Sequence, residues 1–189
     1  MPYSEALLSQ HRLSVDDYHK MGRADIFNHA ERLELIEGRL IDMAPIGSDH
    51  AGTVIQLNAV LNRAFARLAL VSPQNPIRLS EHSEPQPDFA VLRPRADFYR
   101  TAHPQPHDVL LVVEVADTSV RYDREVKIPL YARHGIPEVW LLDLHNTRLE
   151  IYRQPGTEGY GEVLYPANDE AIAPVLLPDA TLSIADFWS

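Results

Sequence analysis

The sequence predicts one α/β (α+β) domain with helices packed on a sheet, and three observations predict it. VLLVVEVA (109–116) is apolar at all but one position, the pattern of a strand covered on both faces. A helical stretch from Tyr122 to His134 follows, and then a second apolar run, EVWLLDL (138–144). Strand, helix, strand in that order is a right-handed crossover, which sets the two strands parallel. Upstream, Val54, Leu57, Leu61, Ala64, Phe65 and Leu68 recur at three- and four-residue spacing. That predicts a helix from Ser48 to about Ala69 with one wide stripe facing a sheet. The 189 residues are the size of one ordinary domain and can bury roughly 70% of their unfolded surface.

The other elements are read in chain order. Residues 1–13 form a loosely attached arm, and 14–189 the domain. Ser14 and Asp17 have capping-box spacing ahead of a short helix to about Met21. RLELIEGRLIDM (32–43) reads as two short strands joined by a tight turn at Glu37-Gly38. Residues 71–106 hold 7 of the 15 prolines, yet IRLS (77–80) and DFAVL (88–92) are strand-like, so this is a set of loops between strands. ADFYRTAHPQPH (96–107) is polar and aperiodic, a mobile surface loop. After 109–116, Asp117-Thr118-Ser119 supplies a turn, and Gly135 and Pro137 stop the next helix. LEIYR (149–153) is a strand after a His145-Asn146 turn. Strands near 162–165 and 181–184 and a docked turn at Trp188 complete the chain.

Composition removes several classes of chemistry. The absence of cysteine excludes disulfides, zinc–thiolate sites, iron–sulfur clusters and a cysteine nucleophile. A net charge of −10 repels phosphate backbones at long range and argues against a non-specific nucleic-acid coat, while leaving room for a local basic cleft. MPYSEALLSQHRL has no apolar run of signal-peptide length, and no stretch of 18 uncharged apolar residues occurs. A soluble, cytoplasmic protein without a membrane span is expected. GxSxG, GxxxxGK[ST] and GxGxxG are all absent, which withdraws support from α/β-hydrolase, P-loop and dinucleotide-binding readings.

Glu114 is the informative residue, because a carboxylate among aliphatic neighbours needs a cation, a metal or several donors. Alternatively it emerges at the sheet edge beside a structural Arg or Lys. Asp88 follows Pro85-Gln86-Pro87 where a loop enters a strand, a place that also suits a turn-capping aspartate. Asp123 and Lys127 stand four apart, the order of a solvated helix ion pair, although their helix packs back over the strand end carrying Glu114. Pro129 removes the bond to the Glu125 carbonyl and bends that helix. Alternation turns Glu34 away from Leu33 and Leu35, to an exposed position unless that face lines a cleft. His50 opens the long helix, where a capping or core role is the commoner use. The other eight histidines lack local metal-ligand spacing. Together, the acids and the lysine are hard oxygen ligands plus a point charge, a set suited to Mg²⁺ or Mn²⁺ and to phosphodiester hydrolysis.

EVADTSVRYDREVKIPLYARHGIPEVWLLD (114–143) resembles the signature of the Uma-two family of the PD-(D/E)XK, restriction-endonuclease-like superfamily. ELIEGRL (34–40), His50 and Pro87-Asp88 match further family segments, so the resemblance spans about residues 14–186. It implies a mixed central β-sheet flanked by helices and a Mg²⁺- or Mn²⁺-dependent endonuclease. Asp88 and Glu114 would be its metal ligands and Lys127 its catalytic lysine, relocated because Ala116 stands two residues after Glu114. Glu34, Asp123 and His50 would support them. Val139 and Leu33 depart from the family's usual aromatics. The implied partner is nucleic acid, with DNA favoured, and a homodimer would help a nuclease engage two strands. Two other readings stand beside this one: a catalytically silent module for self-assembly or partner binding, and a glycosidase carboxylate pair. An electropositive cleft around Arg121, Arg124, Lys127 and Arg133 would separate nuclease from silent module.

Overall fold

The structure is a computed structural model that describes residues 10–27 and 32–188. Most of the arm expected over 1–13 lies outside the described residues; its end is tied down by the Leu13 N–H, which donates to the Gly38 carbonyl at 3.0 Å. Helix α1 (Val15–Arg23) begins at a capping box: the Ser14 hydroxyl accepts from the Asp17 N–H, and the Asp17 carboxylate accepts from the Ser14 N–H. Strands β1 (Leu33–Ile36) and β2 (Arg39–Asp42) form a separate antiparallel hairpin. Its two turn residues, Glu37 and Gly38, both have positive φ, as a two-residue hairpin turn requires. A side chain at Gly38 would bring its Cβ within 2.6 Å of the Arg12 Cβ, so this position tolerates only glycine.

The main sheet has six strands: β3 (Leu70–Pro73), β4 (Phe89–Leu92), β5 (Val109–Ala116), β6 (Glu138–Asp143), β7 (Arg148–Gly156) and β8 (Gly159–Leu164). They lie in chain order across the sheet. Only the β5–β6 pair is parallel, so the sheet is mixed and the crossover expected over 109–144 is present. One face carries α2 (Ser48–Phe65) and the C-terminal segment, whose Leu57, Leu61, Phe65, Ile184 and Phe187 pack on Leu111, Val113 and Trp140. The other carries the helix of the crossover, with Leu130 and Tyr131 against Val112, Val139 and Leu141. Strand β5 is buried along its whole length, which accounts for its unbroken apolar run. A small pair, β9 (Ala171–Ile172) and β10 (Leu182–Ser183), precedes the last turn. No helix among the described residues is long and apolar enough to cross a membrane.

Three expectations are corrected. Residues 77–80 are not a strand: the Ile77, Arg78 and Leu79 N–H groups donate to the carbonyls of Pro85, Pro104 and Ser83 instead of to a ladder. The missing strand is β3, just upstream, and its terminal Pro73 is tolerated because β3 is an edge. Helix α2 ends at Phe65, before Ala69, because Ala66 turns extended (ψ 126°) and Arg67 takes a φ of 69°. The helix of the crossover is not uniform. It runs as α3 (Val120–Tyr122), a π turn (Asp123–Lys127) and α4 (Ile128–Arg133), with the Ile128 N–H reaching back to the Asp123 carbonyl. Pro129, which cannot donate, stands beside this wide turn. The polar loop at 96–107 is internally braced: Asp97 accepts from Arg95, Thr101 and the Tyr99 N–H, and the Arg95 guanidinium stacks 3.9 Å over the Tyr99 ring.

Candidate active site

Asp88 and Glu114 meet because β4 and β5 are antiparallel in a register that pairs Phe89 with Val113. Continued by one residue, that register sets Asp88 opposite Glu114. The contact is direct, since the Asp88 N–H points at Glu114 Oε2 from 3.4 Å. Asp88 in turn accepts from the Val115 N–H at 2.9 Å. Glu114 lies on the face of β5 that packs under the π turn and α4. From that helix Lys127 Nζ approaches Glu114 Oε1 to 2.7 Å, and the Tyr131 hydroxyl donates to the same oxygen at 2.6 Å. The β1–β2 hairpin brings Glu34, whose Oε2 lies 3.8 Å from Lys127 Nζ and accepts from the Gln86 N–H at 3.2 Å. Tyr122 donates to Glu34 Oε1 at 3.0 Å. From the first turn of α2, His50 Nε2 lies 3.2 Å from both Asp88 oxygens. All of these groups except Tyr131, which lies behind Glu114, line one cavity of about 270 Å³, with Asp123, Gln74 and Arg32 also in its wall.

The charges do not balance. Glu34, Asp42, Asp88, Glu114, Asp117 and Asp123 outnumber Arg32, His50 and Lys127 in the cavity wall, and Glu114 and Lys127 are almost wholly buried. Burial pushes Glu114 up to about 8, against the pull of Lys127 and with the push of Asp123 and Asp88. Burial also raises Asp123. Asp88 goes the other way: its burial is outweighed by the His50 hydrogen bond, the Val115 N–H and Lys127. Lys127 is held charged in spite of burial by Glu114, Tyr131, Glu34 and Asp123. An all-oxygen donor set with surplus negative charge fits a hard divalent cation. Asp88 and Glu114 could hold it, since Glu114 Oε2, with one long 3.4 Å contact, keeps acceptor capacity.

All six residues singled out in the sequence therefore come together, three of them in unexpected settings. Glu34 is buried, not exposed, because the polar side of its hairpin closes the cavity. Asp123 and Lys127 do not form a solvated helix pair: both are buried, Asp123 accepting from the Ser119 hydroxyl at 2.6 Å while Lys127 binds Glu114. The three arginines of the cleft that would separate nuclease from silent module are each paired with acids. Arg121 pairs with Glu125, Arg124 with Asp143 and Glu150, and Arg133 with Glu37. Sequence reasoning missed Tyr122, Tyr131 and Gln74. Tyr131 stands four residues after Lys127, and that spacing was the available signal. Gln74, held at a φ of 49°, donates to Asp88 at 3.3 Å from a loop that carries no sequence cue.

The fold is shared with a solved structure, that of a putative nuclease belonging to DUF820 from Anabaena variabilis. The two are 18% identical and superpose with a TM-score of 0.69 over 93% of this chain and 97% of the other. No curated protein matches the chain in sequence. The family model for Uma2, described as "putative restriction endonuclease", matches residues 15–185, which takes in α1, the hairpin, the whole six-stranded sheet and every residue of the cavity. The chain belongs to the Uma2 family.

Proposed function

We propose that the protein is a Mg²⁺- or Mn²⁺-dependent endonuclease that hydrolyses phosphodiester bonds, with DNA as its substrate. The observation that carries this reading is the gathering of Glu34, Asp88, Glu114, Asp123 and Lys127 in one cavity with more acid than base. A cation held by Asp88 and Glu114 would supply, when bound, a Lewis acid for the phosphoryl oxygen and a lower pKa for the attacking water. The chain's own residues do the rest. His50 and the Val115 N–H fix the Asp88 carboxylate in one orientation. Tyr131 and Lys127 fix Glu114 through its Oε1, which leaves Oε2 toward Asp88. Lys127 Nζ, kept protonated by the surrounding acids, provides positive charge where the phosphate gains negative charge in the transition state.

The test is a cleavage screen of supercoiled plasmid, linear duplex, single-stranded DNA and RNA, with Mg²⁺, Mn²⁺ or EDTA. DNA is cut with either metal, and neither EDTA-treated protein nor Glu114→Gln cuts it. Normal cleavage by Glu114→Gln would sink the mechanism. One observation favours the silent module instead: Arg121, Arg124 and Arg133, whose cleft would separate the two readings, are spent on ion pairs. Under that reading no nucleic acid in the screen is cut with either metal.

A further inference from the structure

A second cluster lies outside the lining of the acid cavity. His19 on α1, Glu84 in the segment leading to β4, and His103 in the braced polar loop bring one ligand atom each to within 4.8 Å of one another. They come from three distant parts of the chain, so no local spacing announces them. His19 Nε2 lies 2.6 Å from Glu84 Oε1, and the His19 and His103 rings stand edge to face with centroids 5.9 Å apart. The independent observation is on the same carboxylate: Glu84 is 2% exposed, and its Oε2 is buried without a hydrogen-bond partner. A buried carboxylate oxygen left in that state is unfavourable, and a cation satisfies it.

We propose that His19, Glu84 and His103 form a separate site for a transition-metal ion of the Zn²⁺ type. Two imidazoles and one carboxylate are the borderline donor set that zinc takes, unlike the all-oxygen set of the acid cavity. A tetrahedral ion with bonds of about 2.0–2.1 Å spaces its ligand atoms at about 3.3 Å. The His19–Glu84 contact of 2.6 Å has only to open slightly to admit it. The fourth position is left to water on the exposed His103 side. Bound there, the ion ties α1 and the polar loop to residue 84. Two and four residues later the same segment presents Gln86 and Asp88 to the acid cavity. The ion acts as a clasp at the base of the segment that aims Asp88. This inference does not depend on nuclease activity.

Zinc chloride is titrated calorimetrically into EDTA-stripped, dialysed full-length protein carrying Asp88→Asn and Glu114→Gln, so that the acid cavity does not compete. One Zn²⁺ binds per chain, and cobalt chloride gives the visible absorption of a tetrahedral Co²⁺ centre. His103→Ala, on an exposed loop, and the isosteric Glu84→Gln each weaken Zn²⁺ binding at least tenfold. Circular dichroism confirms the fold of each variant. Should the double variant not fold, the comparison is made in the otherwise unaltered chain, where His103→Ala removes one zinc equivalent. Absence of Zn²⁺ binding, or binding undiminished by His103→Ala, overturns the proposal.

Discussion

Two acid clusters sit beside the same pair of parallel strands, and basic side chains from one π turn reach them both. Lys127 reaches into a cavity with Glu34, Asp88, Glu114 and Asp123. Arg124, three residues earlier, reaches out to Asp143 at the end of β6 and Glu150 on β7. In the second cluster Arg148 also pairs with Glu150, at 2.7 Å, so two bases meet two acids. Asp143 and Glu150 fall below their ordinary values, because Arg124 and the hydrogen bonds from Asn146 and Tyr152 outweigh burial. In the first cluster Glu114 and Asp123 rise. Burial is common to both, and the ratio of acid to base differs. A balanced cluster holds the fold together, whereas an unbalanced one stores a demand for a cation.

The comparison predicts opposite consequences for mutations in the two regions. The largest effect belongs to the cavity: Glu114→Gln or Lys127→Met lowers cleavage by about 10²–10³-fold or more, read in single-turnover assays. Glu114→Gln stays folded and is at least as stable as the parent near pH 8. Next comes Arg124→Met, which leaves Asp143 and Glu150 with less than their charge and lowers stability by about 3 kcal/mol in urea unfolding. If Arg124→Met were as stable as the parent, the balanced cluster would not be holding the fold.

The pH dependence follows from the same contrast. Asp143 and Glu150 sit below 3.8 and 4.5, so their contribution is present above those values and is lost as pH falls through the lower native ones. Glu114 is raised from 4.5 to about 8, so the native state holds a proton that the unfolded chain has released, and stability falls as pH rises across that window. Thermal melts of the parent between pH 5 and 8 therefore slope downward relative to those of Glu114→Gln. Parallel curves would contradict the surplus of acid. The smallest effect is that of Tyr131→Phe, which removes one hydrogen bond to Glu114 and costs about 1–2 kcal/mol, with the fold retained.

What could be read in the sequence followed the strength of each signal. Strands β5 and β6 are buried on both faces, so their apolar runs stand out, and Glu37-Gly38 marks a hairpin turn by its backbone demands alone. Asp88 and Glu114 stood out as charges in proline-framed or apolar settings, and Lys127 through a helix that packs back over the Glu114 strand end and through the family resemblance. Strand β3 was hidden because an edge strand with a terminal proline looks like a loop. The burial of Glu34 depends on where the separate hairpin docks, which alternation within four residues does not encode. The π turn was foreshadowed by Pro129 but not its register. His19, Glu84 and His103 meet only through long-range packing of three segments, beyond the reach of any spacing rule.

The central claim is that the cavity's surplus acid is a site for a divalent cation at Asp88 and Glu114. Calorimetric titration of Mg²⁺ and Mn²⁺ into the parent and Glu114→Gln, with circular dichroism to confirm the fold, tests it most directly. The account predicts one binding event in the parent, tighter at pH 8 than at pH 6 because the cation displaces the Glu114 proton, and its loss in the folded variant. Binding of equal strength in Glu114→Gln, or no binding by the parent at either pH, would contradict it.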